Sequence, residues 1–112
     1  MIVCLPVTEE GQIDPRWGRA DRVAVVALVD GGVSSWEEVQ VGWGRSHDQA
    51  GEGSHHAGIA RFLMEHQVQV VVASHMGPPM ENMLAKMGIR VLLGASGDAR
   101  QAVSNLASTR NP

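Results

Sequence analysis

The sequence predicts a mixed α/β domain built on one five-stranded sheet, and three observations carry that prediction. Valine-rich apolar runs recur along the chain at 2–7, 22–30, 68–74 and 89–93, each about the length of a buried strand. A further run, 35–43, places Val39, Val41 and Trp43 at a spacing of two, the signature of a strand with one wet face. The first three runs follow one another without an intervening helical pattern, whereas helical spacing separates the later ones.

Taken in order, Ile2 to Val7 is a short buried strand, and Thr8 to Asp21 is a long loop rich in Gly, Pro and charge. Arg22 to Asp30 is a second strand that closes on the turn signal Asp30-Gly31-Gly32. Ser35 to Trp43 completes a hairpin. Gly44 to Ser54 (GRSHDQAGEGS) reads as a second long loop, and loops of that length inside a compact domain are usually functional or disordered. Ser54 is a suitable N-cap for a helix from His55 to about Gln67, whose Ile59, Phe62, Leu63 and His66 share one face. Val68 to Ser74 is a buried strand. Pro78-Pro79 opens the next helix, and Gly88 stops it. Ile89 to Leu93 is the last strand, and Asp98 caps a last helix to about Ala107.

The order is therefore β-β-β-α-β-α-β-α. Turns join the first three strands into an antiparallel meander, and right-handed crossovers make the later strands parallel. The runner-up is an open flavodoxin-like sheet, which the hairpin at 22–43 argues against. The chain has 112 residues, the size of one domain, read as 1–108 with a frayed tail at 109–112.

Composition excludes several classes. Apolar residues make up 44% of the chain, which argues against disorder. The formal charge is −3, without the basic stripe of a nucleic-acid binder. Lys86 is the single lysine beside eight arginines, a pattern that a GC-rich genome also produces. One cysteine, Cys4, forms no disulfide framework or CxxC pair, and its place in the first strand suggests a small buried apolar residue. The start MIVCLPV lacks the basic flank of a signal peptide, and no run is long enough to span a membrane. The expected location is the cytoplasm.

Chemistry gathers in the loops. If the first, third, fourth and fifth strands run the same way, the segments 8–21, 44–54, 75–79 and 94–98 leave one sheet edge. Ligands of such sheets collect where strand order reverses, here between the first and fourth strands. Four of the five histidines, His47, His55, His56 and His75, fall in or beside these segments and form the candidate metal-binding set. The fifth, His66, reads as structural. The alternative is that all four are surface histidines. His55 and His56, as neighbours on a helix, lie about 100° apart, so at most one is a direct ligand. In a first helical turn the positive end of the dipole would keep their rings neutral, as ligation requires. Met76, Met80, Met83 and Met87 recur at helical spacing, which core packing explains, although Met76 beside His75 could also serve as a soft ligand for copper. Arg16 and Arg19 flank Trp17-Gly18 and could clamp an anion, or be solvated surface residues.

The segments WGRAD at 17–21, HHAGIARFL at 55–63, VVVASHMGPPMENML at 70–84 and GIRVLLGASGDARQAV at 88–103, after the strand MIVCLPV, resemble the dinitrogenase iron-molybdenum cofactor biosynthesis family, which includes NifX- and NafY-type carriers. The resemblance runs through nearly the whole chain. It implies a three-layer ribonuclease H-like sandwich and a non-enzymatic carrier of a metal or metal-sulfur cluster of iron or molybdenum, with copper the candidate that the His75–Met76 pair adds. By position it implies cofactor contacts at Trp17, Gly18, Arg19 and Gly77, to which the arginine pair adds Arg16. It also implies a cluster donor or acceptor protein as partner. Members often carry His-Phe-Gly-Arg where this chain has Arg16-Trp17-Gly18-Arg19, and Gly-Gly where it has Ser74-His75. Nucleic acid and membrane are not expected partners; the hairpin edge strand could pair with a second copy of the chain to form a homodimer. Two other functions compete: a ligand-free regulatory or interaction module of the same fold, and, below both, a metal-dependent nuclease, for which neither the first nor the fourth strand offers a carboxylate.

Overall fold

A computed structural model describes residues 1–109, with the side chains of 46–52 and 107–109 outside the description. The elements are β1 (Ile2–Pro6), a 3-10 turn η1 (Trp17–Arg19), β2 (Arg22–Val29), β3 (Gly32–Gln40), α1 (Trp43–Glu65), β4 (Val70–Val72), α2 (Pro78–Lys86), β5 (Arg90–Leu92) and α3 (Ala99–Thr109). They form one sheet in the order β3-β2-β1-β4-β5. β1 pairs antiparallel with β2 and β2 with β3, while β4 runs parallel to both β1 and β5. The expected mixed sheet and the reversal between β1 and β4 are both present.

Local chemistry explains the connections. β2 and β3 meet at the two residues Asp30 and Gly31, with φ of 52° and 78°. Two positive φ values in a two-residue loop match the right-handed twist of the flanking strands, and Asp-Gly supplies them at low cost. α2 starts on Pro78-Pro79 after Gly77, and ends against Gly88 at φ 77°.

Alternation along the strands divides the core. Cys4, Val23 and Val71 face one layer with Trp17, Trp43, Ile59, Leu63, Met76, Met80 and Leu84, covered by α1, α2 and η1. Val3, Leu5, Ala24, Val26, Val70 and Val72 face the other, covered by α3 through Ala99 and Val103 and by the loop residue Ile13. The result is three layers, helices on both faces of the sheet. Among the described residues no helix is long and apolar enough to cross a membrane.

The structure corrects the reading at one connection. The expected strand 35–43 is instead Gly32–Gln40, and the expected loop 44–54 is the first half of α1. Ser54 is therefore not an N-cap; Gly42 holds that place in a left-handed conformation, φ 61°. Polarity and glycine in 44–54 mimicked a loop, although the backbone there is helical. Its anchor is tertiary. Trp43 is buried at the first turn, its amide donates to the Ala20 carbonyl at 2.9 Å, and Gly44 lies where a Cβ would stand 3.0 Å from the Arg19 carbonyl oxygen. α1 is thus fastened to η1 at one end and to the core through Ile59 and Leu63 at the other.

Candidate functional site

The site is assembled from three segments at the switch between β1 and β4. The chain leaves β1 and returns to the sheet through paired backbone. The Asp14 amide donates to the Pro6 carbonyl at 3.0 Å, and the Ile13 amide to Gly97 at 2.8 Å. That fixes the start of the segment carrying Arg16, Trp17, Gly18 and Arg19. Trp17 is buried and meets Trp43 edge to face, ring centroids 5.0 Å apart, and Trp43 meets Phe62 in the same way at 5.7 Å. This aromatic row locks η1 to α1. The third segment, His75 to Met80, crosses from β4 into α2 and buries Met76 and Met80.

Between these segments lies a cleft of about 310 Å³. Arg16, Trp17, Gly18, Arg19, His55, His56, His75 and Gly77 all line it, together with Pro15, Met76, Pro79 and Met80. Eight of the nine site residues expected from sequence thus share one wall-to-wall space. The ninth, His47, lies in α1 with its side chain outside the described residues.

The histidines differ in setting. His55 is 2% exposed, and a Cβ on Gly18 would sit 3.6 Å from its Nε2, so Gly18 gives the ring close approach. His56 is half-buried, its ring 5.9 Å from that of His55, and His75 is exposed. His66 stacks on Phe62 at 4.3 Å, away from the cleft, in keeping with a structural role. One expectation fails: His55 and His56 are not in a first helical turn but in mid-helix, about three turns from the start of α1. The dipole argument for neutral rings does not apply there, because the effect fades beyond the terminal turn.

The lining is apolar in floor and cationic at the rim. Trp17, Met76 and Met80 form the buried part; Arg16 and Arg19 are exposed. Among the described residues no lining residue is acidic. The nearest helix start, at Gly77, presents Pro78 and Pro79, which have no N–H to donate, so positive character comes from side chains. The Trp17 indole Nε1 is buried without a hydrogen-bond partner among the described residues. Asp14, 4% exposed, accepts from the Arg16 amide at 2.9 Å and from Nε and Nη2 at 3.1 and 3.2 Å. These bonds push the Arg16 pKa above its ordinary value. Asp14 stands two residues before Arg16 in the loop after β1, but its role comes from its burial, which the sequence does not show.

Among the described residues no group of three or more His, Cys, Asp or Glu side chains stands ready to hold a metal ion. Cys4 lies in the sheet with no exposure, and burial pushes its thiol well up. It stays protonated at neutral pH, which suits packing and not ligation.

The family described as "Dinitrogenase iron-molybdenum cofactor" matches residues 1–109. Among solved structures, the apo form of the orange protein from Desulfovibrio gigas is 23% identical with a TM-score of 0.79, covering 99% of this chain and 90% of that one. The protein PH0822 is 19% identical with a TM-score of 0.80, covering 97% and 90%. At such identities the likeness shows the fold. A search of curated proteins found no sequence match.

Proposed function

We propose that this chain, which belongs to the dinitrogenase iron-molybdenum cofactor family, is a non-enzymatic carrier whose cargo is a preassembled metal-sulfur cluster held in the cleft beside η1. One observation carries the reading: the cleft offers soft and imidazole donors and cationic side chains, but no group of three ligating His, Cys, Asp or Glu among the described residues. A bare ion draws most of its coordination sphere from protein, typically four ligands in a closed site. A cluster arrives with its own sulfides and needs only one or two protein ligands, a polarisable wall and a countercharge. His75 and one of the neighbours His55 and His56 are the proposed imidazole ligands, with Met76 and Met80 as the soft wall. His47 remains a candidate from sequence.

The absence of carboxylates from β1 (IVCLP) and β4 (VVV) supports a carrier over a two-metal nuclease, within what we read as a ribonuclease H-like sandwich. A donor or acceptor of clusters is the proposed partner. Iron, molybdenum or copper are the candidate metals.

The test is uptake under anaerobic conditions. Protein incubated with tetrathiomolybdate, with and without ferrous or cuprous ion, is desalted and analysed for metal. Molybdenum near one equivalent or a small multiple is expected, falling at least tenfold in a His55→Ala/His75→Ala variant of unchanged fold. Equal, negligible uptake by both proteins would instead support the regulatory module.

A further inference from the structure

We propose that Asp14 is a positioning residue that holds the Arg16 guanidinium across the rim of the cleft, so that cargo is selected by its negative charge. The inference rests on the reading of the cleft as the cargo site and adds the basis of its selectivity.

Arg16 stands between two depressions of opposite character. On one side is the cleft, with no acidic residue among its described lining. On the other is a polar hollow of about 230 Å³ that Arg16 lines together with Arg22 and four carboxylates, Glu9, Glu10, Asp14 and Asp21. A free arginine side chain, 63% exposed, would sample many rotamers. Here both carboxylate oxygens of Asp14 take the Nε–Nη2 edge of the guanidinium, and Oδ1 also takes the Arg16 amide. Asp14 is itself rigid. Its side chain is 6% exposed, and its amide is bonded to the Pro6 carbonyl at the end of β1. The carboxylate therefore ties the guanidinium to the sheet.

An arginine held by its Nε edge keeps further N–H groups, on Nη1 and Nη2, for a second acceptor. The rotamer entropy that anion binding would otherwise remove is already lost. The alternative is that Arg16 serves only to neutralise the acidic hollow, with its place on the cleft rim incidental.

A double-mutant cycle separates the two, read as the dissociation constant of tetrathiomolybdate from anaerobic protein. Asp14→Asn keeps the acceptor for the Arg16 amide and removes the charge. Arg16→Ala is expected to weaken binding about tenfold and Asp14→Asn about three- to tenfold. The double variant should bind no more weakly than Arg16→Ala. Arg16→Lys, unable to form the two-pronged contact, should lie between wild type and Arg16→Ala. Binding unchanged in Arg16→Ala, with wild type binding, would overturn this inference and leave the cargo reading standing. So would a loss from Asp14→Asn that is equally large in the Arg16→Ala background, since it would mark a structural effect. No binding by wild type would overturn both.

Discussion

Two of the grooves among the described residues lie on opposite faces of the sheet, and the larger of the two lacks the chemistry. Along β5 and α3 runs a groove of about 460 Å³ lined by Val72, Leu92, Leu93 and Leu106, with Asp98 as its one charged lining residue. The cleft beside η1 is smaller, about 310 Å³, yet it gathers three imidazoles, two methionines and two guanidinium groups. The same strands build both faces, with Cys4 turned to one and Val3 and Leu5 to the other. What differs is the cover. The α3 layer is mainly aliphatic, with Trp36 and Met1 at its margin, whereas the other layer is closed by aromatic and sulfur-containing side chains from three separate segments. Volume therefore does not select the site; the convergence of donors does.

That contrast can be broken by matched truncations. Leu5→Ala, on the α3 face and fully buried, should lower the unfolding free energy by about 2–5 kcal/mol in chemical denaturation, with cargo uptake intact wherever the protein stays folded. Met80→Ala, on the cleft face, should weaken uptake as well. If Leu5→Ala abolished uptake in folded protein, the two layers would not be separable.

Glycine substitutions sharpen the same division. Gly44→Ala would press a methyl group to 3.0 Å from the Arg19 carbonyl oxygen. We expect a loss of about 1–3 kcal/mol and weaker uptake, because η1 must shift.

Cys4 tests burial on the cleft-side layer through pH. Its folded pKa is raised by burial, so the native state keeps the proton while the unfolded chain loses it above about pH 8.5. Stability is full below that pH and falls as pH rises, by about 1.4 kcal/mol per unit. Denaturation profiles of wild type and Cys4→Ala should diverge in slope above that pH, and parallel profiles would refute the burial argument. The smallest effect is expected at Gly58, where a Cβ meets nothing within 4 Å. Gly58→Ala in mid-helix should stabilise by about 0.5–1 kcal/mol, seen as a higher melting temperature.

Much of this was legible in the sequence. The valine runs, the Asp30-Gly31 turn and the Pro78-Pro79 helix start are local signals, and each was realised where its chemistry pointed. The grouping of Arg16, Trp17, His55, His75 and Gly77 followed from topology, since the loops that leave one sheet edge must lie near one another. The start of α1 was not legible, because its anchor is tertiary: Trp43 packs on Trp17, and Gly44 on Arg19, neither near it in sequence. The clamp of Asp14 on Arg16 depends on the burial of Asp14, which no spacing reveals.

The central claim is that cargo sits in the cleft and not in the larger groove. Anomalous X-ray scattering at the molybdenum edge, from crystals of tetrathiomolybdate-loaded protein, tests it directly. The account predicts one dominant molybdenum position among His55, His75, Met76 and Arg16. Molybdenum along β5 and α3, or scattered over the surface with none beside His55, would contradict it.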